Sequence, residues 1–133
     1  MNGFKKVSLT NPNQILFYTE PYAAVGVVVG NTGLEADSDG KKILKAGTPL
    51  AGSLTARNTA FKKATTTDPG SGGTKTTDAV GILLHDVDVT DGNDNATMLI
   101  FGFVNLDRID AETVKLIDDT VAAALNAKVT FLK

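Results

Sequence analysis

The sequence predicts a mainly β domain with one C-terminal helix, its short strands forming a small barrel-like body behind an extended N-terminal arm. Three observations carry that reading. Apolar, β-branched runs stand at 23–29, 79–84 and 96–104, each bounded by turn-forming residues. Helical spacing occurs in one segment only, 110–125. The strand segments follow one another too closely for helical crossovers, which argues against parallel βαβ units. A chain of 133 residues is one domain's length and can bury a core without covalent staples.

Taken in order, residues 1–22 read as an arm and residues 23–133 as the β-rich body. In the arm, Phe4, Val7 and Leu9 alternate weakly with polar positions before Asn11-Pro12-Asn13 breaks the pattern. Ile15, Leu16, Phe17 and Tyr18 then form a short apolar cluster ahead of Pro21. The arm is either a first strand with a loop or an extended segment that pairs with a partner's sheet edge. In the second case Phe4, Val7, Leu9, Ile15, Phe17 and Tyr18 are its anchors. Ala23 to Val29 is the first clear strand, closed by Gly30-Asn31-Thr32-Gly33. Ile43 and Leu44 suggest a short strand, and Leu50 to Thr55 another with Leu50 and Leu54 as its apolar members. Residues 65–78, TTTDPGSGGTKTTD, contain no aliphatic or aromatic side chain, so they supply no core contacts and are expected to be a mobile loop. Strands at 79–84 and 96–104 flank a polar loop and carry internal glycines, Gly81 and Gly102, which predict bends or close backbone approach. In the helix, Asp110 is the N-cap, and Val114, Ile117, Val121 and either Ala124 or Leu125 form one apolar face. Residues 128–133 read as a closing strand.

Composition excludes more chemistry than it suggests. There is no Cys and one His, so no disulfide framework, thiol nucleophile or multi-histidine metal site can be assembled within the chain. The formal net charge of −2 argues against a nucleic-acid partner. The longest nearly unbroken apolar stretch, 23–29, is far below the roughly 20 residues of a membrane span, and the N-terminal residues lack an export signal's apolar region.

The motifs that invite a catalytic or ligand reading fail on register. From Asp86, a calcium loop would need oxygen ligands at its third and fifth positions, Gly at the sixth and an acid at the twelfth. Asp88 and Thr90 fit, but Asp91 occupies the sixth position, Gly92 comes one place late, and Thr97 occupies the twelfth. The segment reads as a solvated acidic turn. His85 has no serine in a nucleophile elbow to serve, and reads as a structural residue at a strand end. In Gly70-Ser71-Gly72-Gly73-Thr74-Lys75, Thr74 separates glycine from lysine and no helix follows, so the phosphate-loop reading fails. Asp107 with Asp110, and Asp118 with Asp119, suit a helix start and a solvated face. The basic interval Lys41, Lys42, Lys45, Arg57, Lys62 and Lys63 contains one aromatic residue, Phe61, too few for a stacking platform. No catalytic residue, cofactor or metal is expected, and the chain reads as a non-enzyme.

The succession GTPLAG, then AVGILLHDVDVTDGNDNATMLIFGFVNLDRI, then a short helix ending in VTFLK, resembles bacteriophage head decoration proteins, the lambda-type capsid cement and head fibre proteins. The matching elements are Ala79 to Leu83, Leu99 to Asn105 and Val129 to Phe131, with the turn at Gly47-Thr48-Pro49. The resemblance covers roughly residues 40 to 133, and residues 65–78 look like an insertion. It implies a β-tulip decoration domain, usually a homotrimer at three-fold or quasi-three-fold sites on the outer capsid of the virion, made in the host cytoplasm. It implies the major capsid protein as partner, no cofactor, nucleic acid or membrane, and an arm that orders on the capsid through the anchors named above. A head fibre base or glycan-adhesion module is the alternative. Absent Trp, and with Tyr18 and Tyr22 the only tyrosines, aromatic sugar platforms are scarce.

Overall fold

The computed structural model describes residues 15–18 and 20–133. Phe4, Val7 and Leu9 lie outside the described residues. Ten strands occur among the described residues: β1 (Ala23–Val29), β2 (Ile43–Leu44), β3 (Pro49–Ala51), β4 (Lys62–Lys63), β5 (Thr66–Thr67), β6 (Thr76–Thr77), β7 (Ala79–Leu83), β8 (Val87–Asp88), β9 (Asp94–Asn105) and β10 (Val129–Leu132). Between the last two come a 3-10 turn at Leu106–Arg108 and two short helices, α1 (Ala111–Val114) and α2 (Asp119–Ala124). The domain is mainly β, as the apolar runs predict.

The main sheet runs β1-β9-β7-β3-β4, with β10 also on β9. Its interior pairings are antiparallel, and strand alternation sorts their side chains to two faces. Ile82 lies opposite Leu99, and Leu83 opposite Met98. The first pair enters a core with Ile15, Leu16, Val104, Ile109, Val121, Leu125 and Val129. The second enters a core with Val27, Val29, Leu44, Leu50, Phe61, Val87 and Val89. Both faces of β7 are therefore covered, which is why its sequence is continuously apolar instead of alternating. The helices, β10 and the 15–16 segment close one face; the β2–β8 ribbon and Phe61 close the other.

The two strand glycines each have the role their position predicts. A side chain on Gly81 would begin 2.6 Å from Met98 Cγ and 2.8 Å from the Leu99 carbonyl oxygen, so the strands approach there at a distance only glycine permits. Gly102 has φ +152, in the region that favours glycine, and β9 changes partners at that point. Before it, β9 pairs with β1 and β7. From Gly102 onward it pairs with β10 in parallel.

Five expectations are corrected. Among the described residues no sheet closes into a barrel: β4, at the end of the main order, is a two-residue strand of lysines, and β1 stands at the other end. The single C-terminal helix is two, because Asp118 is extended and its carboxylate accepts from the Val121 amide at 3.0 Å. That side chain caps a new helix instead of continuing the old one. A parallel strand pair does exist, since the turn and helices in residues 106–128 give β9 and β10 the crossover length that earlier strand pairs lack. The strand near Leu50 ends at Ala51, where Gly52 passes so close to the Phe61 ring that a side chain would begin 2.5 Å from it. Finally, residues 65–78, expected to be a loop, contain the β5–β6 hairpin, in which Asp78 Oδ1 accepts from the Thr65 amide at 2.8 Å. Their side chains are exposed apart from the half-buried Thr77, and none joins either core.

Candidate functional site

The kink in β9 organises the largest group of exposed aromatic side chains. After Gly102, β9 is paired on both edges, because Val104 bridges Phe131 in parallel and Leu16 in antiparallel fashion. The segment at 15–17 is fixed by the Phe17 amide donating to the Phe103 carbonyl and the Asn105 amide donating to the Ile15 carbonyl, both at 2.7 Å. Ile15 and Leu16 are both buried in the core, and the chain bends at Phe17 and Tyr18, whose rings stay at the surface. Phe17 and Tyr18 meet edge to face at 4.9 Å between centroids, and Tyr18 meets Phe103 in the same manner at 5.3 Å. Such pairs add about 0.5–1.5 kcal/mol each beyond area burial, so the three rings hold one another in place. Phe101 lies two residues before Phe103, and Tyr22 packs beside the Gly102 backbone, its Cβ 3.2 Å from where a side chain on that glycine would begin. Phe17, Tyr18, Tyr22 and Phe101 are 37%, 51%, 49% and 43% exposed. From Ala96 to Asn105 the strand has no charged residue.

The predicted anchors thus separate. Phe17 and Tyr18 are at the surface, in contact with each other. Ile15 is 1% exposed and belongs to the core with Ile82 and Leu99. Its side chain serves the body of the domain, so the described end of the arm is built into the sheet. Sequence reasoning missed Phe103 and Phe101, which read there as members of an apolar strand. The available signal was that Phe101 and Phe103 alternate with Gly102 and Val104: a strand end apolar on both faces needs cover on both, and one face here lacks it.

The other motif residues have local partners. His85 is exposed. Asp86 Oδ1 accepts from the Ala46 amide at 2.7 Å, and the same carboxylate lies 3.9 Å from the Lys45 ammonium. Asp88 accepts from both the hydroxyl and the amide of Thr90, and these bonds hold its carboxyl below the usual value of 3.8, with a smaller contribution from the charge of Lys41. Thr90 Oγ1 in turn accepts from the Lys42 amide at 2.9 Å, which ties the acidic turn to the start of β2. Among the described residues, no group of three or more acidic or histidine side chains is placed to hold a metal ion. The glycine-rich run forms the exposed hairpin tip, where Gly70 and Gly72 take positive φ and Lys75 pairs with Asp68 at 3.8 Å. Asp110 and Asp118 cap α1 and α2. Phe61, the aromatic residue of the basic interval, is wholly buried and cannot stack on a base. No helix among the described residues is long and apolar enough to cross a membrane.

The geometry presents an uncharged aromatic surface among the described residues. Compared with known proteins, the chain matches no family model and no curated protein.

Proposed function

We propose that the protein is a bacteriophage capsid decoration protein, which binds the major capsid protein on the outer surface of the mature head and stabilises the lattice by contact. In this reading the domain is of the β-tulip decoration type, acts as a homotrimer at three-fold or quasi-three-fold sites, and is neither an enzyme nor a cofactor carrier. The observation that carries it is the triad Phe17, Tyr18 and Phe103 at the point where residues 15–18 emerge from the sheet. Exposed aromatic clusters on small domains mark interaction surfaces, and aromatic residues dominate the binding energy of such contacts. Two of the three rings, Phe17 and Tyr18, belong to the arm, so a partner can engage the arm and the triad together. Three copies per trimer would multiply a modest contact through avidity.

Co-sedimentation with expanded phage capsids tests the proposal. The native protein is expected to pellet with capsids, and a Tyr18→Ser, Phe103→Ser double variant of unchanged fold to remain in the supernatant. Native protein that stays in solution with every capsid tried, or a double variant that binds as tightly as the native chain, would overturn it.

A further inference from the structure

A second concavity lies at the far end of β1, about 550 Å³ in volume, within the range of small-molecule sites. Its floor is strand and its wall is the 53–61 segment, folded onto the outer edge of β1. The wall is firmly held. The Val28 amide donates to the Arg57 carbonyl at 3.3 Å, the Phe61 amide to the Val28 carbonyl at 2.7 Å, and the Gly30 amide to the Phe61 carbonyl at 2.9 Å. Arg57 Nη1 donates to the Gly26 carbonyl at 2.9 Å, which fixes the guanidinium at the rim. The buried Phe61 ring anchors the segment from below. The cleft is therefore preformed, and no loop ordering opposes binding.

Its chemistry is selective. Among the described residues, Arg57 is the only charged side chain in the lining. Asp94, next in the chain to Asn95, pairs with Val29, whose side chain is in the core on the opposite face of the sheet. Asn58 and Asn95 offer amides that both donate and accept, Thr55 offers a hydroxyl, and Leu54, 41% exposed, offers an apolar surface. Gly26 leaves the floor open: a side chain there would meet nothing within 4 Å, and no positive φ requires a glycine. A single planar cation among neutral amides and a hydroxyl matches one carboxylate on a ring bearing several hydroxyls. A nucleobase would want an aromatic platform, and none lines the cleft.

We propose that this cleft binds an acidic monosaccharide unit, its carboxylate on Arg57 and its hydroxyls on the two asparagines. The carboxylate contact supplies the affinity that aromatic stacking supplies elsewhere, so millimolar binding by a single unit is expected. The site is separate from the aromatic surface and does not rest on the capsid reading.

The test is a heteronuclear NMR titration with four probes: glucuronic acid, N-acetylneuraminic acid, glucose, and an acetylated tripeptide with a free carboxylate. An acid sugar should move the amides at 26–28, 54–59 and 95–96, with glucose and the peptide weaker. Arg57→Gln should weaken binding about tenfold, the loss of one charge-assisted contact. Gly26→Val should abolish it while leaving the melting temperature unchanged or higher, which separates a filled cleft from a damaged fold. Absence of shifts at those amides with either acid sugar, equal binding of the peptide, or full binding by Gly26→Val overturns the assignment.

Discussion

Replacing Ile15 by alanine separates two accounts of the chain's N-terminal end. If Ile15 is an anchor for a partner, the substitution weakens partner binding and spares stability. The structure argues the reverse. The side chain is 1% exposed and packs in the core that holds Ile82, Leu99 and Val104. Truncating a buried Ile costs about 2–5 kcal/mol, with the cavity contributing part of it. Taking about 3 kcal/mol and an unfolding entropy of roughly 2.1 cal/mol/K per residue over the 133-residue chain, the melting temperature should fall by about 11 °C. The backbone bonds of Ile15 and Phe17 to β9 survive the change, so the loss is a packing term. Differential scanning calorimetry of Ile15→Ala beside Tyr18→Ala provides the assay. Tyr18 is half exposed, and its truncation should change stability by no more than about 1 kcal/mol, mainly the edge-to-face contacts. Equal melting temperatures for Ile15→Ala and the native chain would refute the placement of the arm's described end in the core.

Three further outcomes follow from the same geometry. Gly81→Ala pushes a methyl group against Met98 and the Leu99 carbonyl oxygen and should cost roughly 1–3 kcal/mol by urea denaturation; a neutral or stabilising effect would show that the strands have room. Asp118→Ala removes the cap of α2 and should cost about 1 kcal/mol, with a small loss of helical circular dichroism; an unchanged midpoint would contradict the capping role. Asp88→Asn tests linkage: a carboxyl held below 3.8 in the fold contributes stability that is full above that value and disappears as pH falls through the lowered one. The native chain should therefore exceed the variant at neutral pH and converge with it in strong acid, whereas a pH-independent gap would refute the assigned cause.

Legibility in the sequence followed how each element is specified. β1, β7 and β9 are written in their own residues, because long β-branched runs have few other uses. The two-residue strands are not. Lys62–Lys63 and Thr76–Thr77 become strands only because β3 and β5 lie beside them, and pairing is a tertiary fact. The helix break was legible in kind and missed in weight: Asp118 was assigned to a solvated helix face, although an aspartate four residues before an alanine run is also a cap. The surface triad was half legible. Phe17 and Tyr18 belong to an apolar cluster in the arm that stands out in the sequence, whereas Phe103 is hidden in an apolar strand until the change of partners at Gly102 shows which of its faces is covered.

The molecule's treatment of its sheet edges bears on why that surface stays open. A bare strand edge invites association, and chains that must remain apart guard such places with charge or cover. Here β4 carries Lys62 and Lys63 at one end of the sheet, and the 53–61 segment covers part of the outer edge of β1 at the other. The stretch of β9 from Ala96 to Asn105 has its edges paired and carries no charge, yet Phe101 remains exposed and Phe103 half-exposed beside Phe17 and Tyr18. Protection is present where backbone association would be indiscriminate, and it is missing where rings fixed by their neighbours can meet a shaped partner. A single Phe101→Lys substitution applies the missing guard: charge would then stand on a half-exposed strand position without disturbing either core. If the surface is a contact, that variant should lose capsid co-sedimentation while its melting temperature stays within the narrow range typical of surface changes, about 0.5 kcal/mol. Retained binding would mean that the open aromatic surface serves no lattice contact, and the proposal that rests on it would fall.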